Sequence, residues 1–349
     1  MLKKAMHPLK RIHLLVTFLL LTALLPAADL APTPGGLVLN QGKPMLDAHN
    51  CYPNEGRWAN RIDRALSTGF PLAIEQDIAW HIDPATGNGR AVVSHEAKST
   101  GSEPTLNDYF FERIRPMVEA ELAKGDRSRW PIIVLNLDFK DVRPELLKAV
   151  WNVLGQYDSW LTTAAKTPNE SRLEPLDVKP VLVLGGSSDA QQKVFYDDLP
   201  VGARLRIFGA AHDPTIPGST TAERAHAQAT MPPGQLLSEK PTNYRRWWNN
   251  PWAVVEEGGQ GRAGDWTAAD DERLRALVTH SHKLGFWIRF YTLNGHSPAE
   301  DQGWSTGYNF GSRDAVLARW RAAYKAGVDF IATDQYEDLA RILNPQRTR

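Results

Sequence analysis

The feature that most constrains this chain is a rhythm. Short apolar, β-branched runs ("LDAHNC", "FPLAIEQDIAW", "RAVVSHE", "WPIIVLNLDFK", "KPVLVLGG", "RLRIFGA", "NPWAVVEE", "FWIRFYTLN" and "VDFIATDQ") recur along it, with amphipathic segments between many of them. The segment "RWANRIDRALSTG" carries apolar residues at helical spacing and stops at Gly69. "TAADDERLRALVTHSHKLG" opens with Thr267 and Asp270, a capping-box pattern, and stops at Gly285; "SRDAVLARWRAAYKAG" stops in the same way at Gly327. Strands alternating with helices require crossovers, and crossovers give a parallel sheet. About eight such units in a chain of this length predict an α/β fold, a (β/α)8 TIM-like barrel, with an open doubly wound sheet as the alternative. "GGQGRAG" (258–264) follows "WAVVEE" directly and reads as a long βα loop rather than a domain boundary.

Residues 1–30 read as a signal peptide outside the fold. A basic start (Lys3, Lys4, Lys10, Arg11) precedes an apolar run from Leu14 to Leu25, and small residues follow near Ala27, Ala28 and Ala31. The expectation is a secreted or periplasmic protein whose residues 31–349 form a single barrel domain. Cleavage before Asp29 would leave 36 Lys and Arg against 40 Asp and Glu. Such a balance offers nucleic acid no general electrostatic attraction. Cys51 is the only cysteine, which excludes an internal disulfide.

The chemistry sits at the ends of the strand-like runs. Glu75 and Asp77 lie at i and i+2 in "LAIEQDIAW", so their carboxylates share one strand face. Two carboxylates there repel unless a cation lies between them, and a hard divalent ion with oxygen ligands meets that need. Asp138 and Lys140 have the same spacing at the end of the very apolar "PIIVLNLDFK", and "LDAHN" and "AVVSHE" end near His49 and His95. The strand C-termini of a barrel share one rim, which brings these residues and Asn50 together.

The set resembles the phosphatidylinositol-specific phospholipase C-like phosphodiesterase superfamily, to which the glycerophosphodiester phosphodiesterases are related. "HN" at 49–50, "IEQDIAW" at 74–80, "VVSHE" at 92–96 and "VLNLDFK" at 134–140 carry the resemblance, and "GVDFIATD" resembles the last glycerophosphodiesterase strand. The resemblance implies an exported metal-dependent phosphoric diester hydrolase acting on a phosphodiester small molecule or phospholipid headgroup, with peripheral membrane contact. It implies His49 and His95 as the catalytic pair, and Asn50, Glu75, Asp77 and Asp138 as ligands to one divalent cation, Ca2+ in preference to Mg2+. Lys140 would bind phosphate, with Arg289 and Tyr291 as further substrate-binding candidates. The alternatives are a glycerophosphodiester phosphodiesterase, a glycoside hydrolase and a non-catalytic phospho-ligand binding barrel.

The remaining features have plainer readings. Cys51 reads as a packed thiol. His280 and His282 are two apart on a helix and read as surface residues rather than a chelate. "LGGSS" (184–188) reads as a turn needing positive φ, and the aromatics of "RRWWNNPW" and "GWSTGYNF" as packing and loop cover.

Overall fold

The computed structural model describes residues 33–54, 58–96, 99–297, 300 and 306–344; the expected signal peptide and residues 303–305 of "GWSTGYNF" lie outside them. The predicted barrel is present. Its strands are β1 Met45–Ala48, β2 Leu72–Ile82, β3 Ile133–Phe139, β4 Val181–Leu184, β5 Gly209–Ala210, β6 Arg245–Pro251, β7 Trp287–Tyr291 and β8 Phe330–Thr333. Their order in the sheet is 4-3-2-1-8-7-6-5, with every neighbouring pair parallel. A parallel bridge from Leu184 to Phe208, just before β5, joins the two ends into a ring.

A helix follows each strand: α1 Arg61–Ser67, α2 Glu112–Lys124, α3 Pro144–Gln156, α4 Asp189–Gln192, α5 Thr221–Thr230, α6 Ala268–Leu284, α7 Arg313–Ala326 and α8 Tyr336–Leu343. The predicted boundaries have the predicted causes. Thr267 and Asp270 form a reciprocal capping box on α6, which Gly285 closes at φ 99°. Gly327 closes α7 at φ 79°. Only glycine takes such angles without a Cβ penalty.

Two runs fold differently from expectation. "RAVVSHE" is no barrel strand: Gly89–Val93 pairs antiparallel with the far half of β2, which continues past the barrel as one arm of a hairpin. "NPWAVVEE" supplies only the end of β6, since Trp252–Val254 is a 3-10 helix; the strand itself is "RRWWNNP", read above as packing and loop cover. A strand buried on both faces shows no alternation. Here its arginines are buried because each finds acceptors. Arg245 bonds Gln192, Asp189 and the carbonyls of Ser187 and Ala210. Arg246 bonds Asn243 and the carbonyls of Gly35 and Glu174.

The "LGGSS" turn does not use positive φ at its glycines. Close approach explains them instead: a Cβ on Gly185 would lie 2.9 Å from Ile207, and one on Gly186 would lie 3.1 Å from Gln191. "GGQGRAG" is the expected loop after β6. Its Gln260 is buried and donates to the carbonyls of Thr292 and Tyr291, holding the turn that leaves β7.

Candidate active site

The C-terminal strand ends surround a cleft of about 630 Å3, lined among others by His49, Asn50, Glu75, Asp77, His95, Asp138, Lys140, Arg289 and Tyr291. All nine sequence candidates therefore border one space. Strand register explains why. In the β2–β3 ladder Glu75 is opposite Asn136 and Asp77 is opposite Asp138, so two aspartates meet on adjacent parallel strands. One ligand oxygen from each of Glu75, Asp77 and Asp138 lies within 4.8 Å of the others.

Lys140 leans back over this cluster. Its Nζ is 2.6 Å from Asp138 Oδ2, to which it donates, and 2.8 Å from Asp77 Oδ2. Asp77 Oδ2 is thus held by the ammonium as an ion pair. Burial and then the charges of Glu75 and Asp138 push the Asp77 carboxyl well above the usual carboxylate range, against the pull of Lys140. The two aspartates raise Lys140 despite its own burial. Glu75 goes the other way. Burial opposes its charge, but His49, Arg289 and the Asn50 N–H overcome that and bring it down to about 2.

His49 ends β1, and Asp334, directly after β8, reaches it. His49 Nδ1 lies 2.9 Å from Asp334 Oδ1, and Nε2 lies 3.1 Å from the Thr292 hydroxyl and 3.5 Å from Glu75 Oε2. With Nδ1–H donating to the Asp334 carboxylate, Nε2 faces the cleft as a base. Asp334 is itself fixed by the side-chain amides of Asn50 and Asn294. Burial disfavours a charged His49, but Glu75 and Asp334 outweigh it and raise its pKa above 6.5. The raised value means that His49 stabilises the fold below pH 6.5, and that this contribution fades as pH rises through the folded-state value. The stability gap between the native protein and His49→Gln should therefore narrow from pH 6 to pH 9 in urea titrations.

Backbone strain gathers beside this histidine. Asn50 (φ 51°) and Thr292 (φ 60°) both occupy the left-handed region. For β-branched Thr292 that conformation is costly, and it persists where surrounding contacts enforce it, here the Gln260 bond to its carbonyl.

Other expected residues have more specific placements. Asn50 donates its amide to Asp334 and accepts from the Tyr52 hydroxyl at 2.5 Å, so its side chain braces the dyad. Its backbone N–H holds Glu75 Oε2 at 3.0 Å. His95 stands at the rim with a side chain 43% exposed, 3.3 Å from Glu96 and stacked near Tyr52. Arg289 is buried beneath the cleft. Cys51 is fully buried, and burial raises its thiol, as a packed thiol requires. His280 bonds the Leu237 carbonyl while His282 bonds Asp329, so the two share no ligand.

The sequence reading missed Asp334, Thr292, Asn249 and Asp47 as site residues. Asp334 had a visible signal, since "FIATD" ends on an acid as "LDAHN" ends on its polar pair.

No family model matches the chain, and no curated protein matches it. Solved structures do. One is HPPK-DHPS of Plasmodium falciparum with pterin and p-hydrobenzoate, at 9% identity and TM-score 0.43, covering 89% of this chain and 48% of that one. Another is HPPK-DHPS of the same organism with pteroate, at 10% identity and TM-score 0.45, covering 89% and 49%. The chain spans about half the length of these proteins. Likeness at this level assigns no ligand or reaction to this chain.

These findings correct the family expectation. The solved structures named here are HPPK-DHPS, not phosphatidylinositol-specific phospholipase C-like or glycerophosphodiesterase proteins. The phosphoric diester hydrolase assignment is withdrawn, and with it the phosphodiester or phospholipid headgroup partner, the membrane contact and the phospho-ligand barrel. Short motifs misled for a physical reason. Acids and histidines at strand ends are what any barrel with a polar rim presents, and fold does not fix reaction.

Proposed function

We propose that the cleft is a divalent-cation-dependent acid–base site acting on a small, oxygen-rich molecule. The observation that carries this reading is the Glu75–Asp77–Asp138 cluster, in which one oxygen from each residue lies within 4.8 Å of the other two and two of the three side chains are buried. Such a hard oxygen set suits Ca2+ or Mg2+ and fits softer metals poorly. When bound, the ion would supply positive charge to stabilise an oxyanion and lower the pKa of a hydroxyl or water. The protein's own part is proton transfer. His49, aligned by Asp334, takes a proton at Nε2, while Glu75 beside it favours the imidazolium that results. Tyr291 and Tyr308 also line the cleft, whose volume of about 630 Å3 suits a small molecule.

A second reading has its own support. Lys140 already lies within 2.8 Å of both aspartates, so its ammonium could be the built-in cation and no ion would be needed. Lys140→Gln separates the two. If an ion belongs there, removing the competing ammonium should tighten Mn2+ binding at least about tenfold by calorimetry, since a unit charge near 4 Å is worth several kcal/mol at a partly buried site. If Lys140 is the cation, the native protein will show no saturable Mn2+ binding. Turnover is the further test. A metabolite mixture incubated with the native protein should show a consumed compound that EDTA protects and that His49→Ala leaves intact.

A further inference from the structure

We infer that Arg289 is a positioning residue: it holds Glu75 in ligating orientation from beneath and does not meet the substrate. The inference rests on the metal reading above and extends it to the second layer of the barrel.

Strand register puts the Arg289 backbone low in the barrel. It is level with Phe330, which is level with Met45, two residues before Asp47. Asp47 in turn is level with Ala73, two residues before Glu75. The side chain therefore climbs past the Asp47 layer toward the Glu75 layer. Two of its edges are fixed on the way. Nε donates to Asp47 Oδ2 at 2.5 Å, and Nη1 donates to Asn249 Oδ1 at 3.0 Å. A planar guanidinium held on two edges has little freedom left. Its third edge, Nη2, is thereby presented to Glu75 Oε1 at 3.3 Å. That contact is not aligned as a hydrogen bond, so charge supplies the coupling.

Glu75 is consequently gripped from both sides, Oε1 by Arg289 and Oε2 by the Asn50 N–H. That leaves a Glu75 oxygen within 4.8 Å of ligand oxygens of Asp77 and Asp138. Its donors are already committed to three strands, at Asp47, Asn249 and Glu75, which argues against a substrate role. Outer partners that orient a metal ligand typically change affinity by about 10- to 100-fold.

The test uses Asp47→Asn/Arg289→Gln in the full chain. This pair keeps the net charge and leaves neither Asp47 nor Arg289 facing a lost ion-pair partner. Mn2+ affinity, read by calorimetry and by the Mn2+ electron paramagnetic resonance spectrum, should fall about 10- to 100-fold with the fold retained by circular dichroism. Affinity within twofold of the native protein would overturn the role, leaving Arg289 a mere counter-charge for Asp47. Native protein that binds Mn2+ no better than Asp77→Ala would sink the metal reading instead. The crystal structure of the double variant then decides the positioning claim alone: Glu75 displaced from the Asn50 N–H supports it, and Glu75 unmoved refutes it.

Discussion

Asp77→Ala should lower divalent-cation affinity by more than about 100-fold, the upper end of what an outer-sphere partner contributes. Asp77 is the central member of the cluster, opposite Asp138 across the ladder and on the same face as Glu75. The amide variant Asp77→Asn should behave in the opposite sense without an ion. Burial and its carboxylate neighbours raise the Asp77 pKa above 3.8, so ionising it costs more in the folded chain than in the unfolded one. For a raised carboxyl, stability falls as pH climbs from about 3.8 through the folded-state value. Metal-free Asp77→Asn should therefore melt above the metal-free native protein at pH 7, and below it once saturating Mn2+ is added. Calorimetric titration and thermal melts check the two halves. A variant that binds Mn2+ like the native protein would remove Asp77 from the site.

The largest stability effect is expected at Asp334. Its carboxylate accepts from His49 Nδ1, Asn50 Nδ2 and Asn294 Nδ2, and the Arg61 guanidinium lies 3.7 Å away. Alanine there would strand the His49 and side-chain amide donors. Breaking a buried ion pair by removing one partner costs about 3–5 kcal/mol. Asp334→Ala should lose stability on that scale in urea unfolding at pH 6. Asp334→Asn, which keeps one carbonyl acceptor, should lose less. Equal losses for the two would mean that packing rather than charge and hydrogen bonding sets the effect.

The barrel was legible because its signals are local. Gly285 and Gly327 stop helices by a backbone angle, Thr267 and Asp270 cap one, and apolar runs mark strands buried on both faces. The strand "RRWWNNP" was not legible, because arginine in a barrel wall makes sense only once distant acceptors such as Asp189 and the Gly35 carbonyl are in place. The site divides in the same way. Glu75, Asp77 and Asp138 follow from period-two geometry and a shared rim. Their relation to Lys140 and Arg289 does not, since both side chains reach partners on other strands. Asn50 shows the limit best. Its position next to His49 was visible, but its left-handed backbone turns the amide toward Asp334. The step from motif to reaction had no such physical footing, and that is the step the comparisons overturned.

The central claim is that Glu75, Asp77 and Asp138 together hold a divalent ion. Anomalous diffraction from a crystal of the protein equilibrated with Mn2+ tests it most directly. The account predicts one strong peak, with carboxylate oxygens of all three residues at about 2.0–2.6 Å, the oxygen-ligand range of hard cations, and Lys140 withdrawn from Asp77. A saturated crystal with no peak there, and Lys140 still lying 2.8 Å from Asp77, would contradict it.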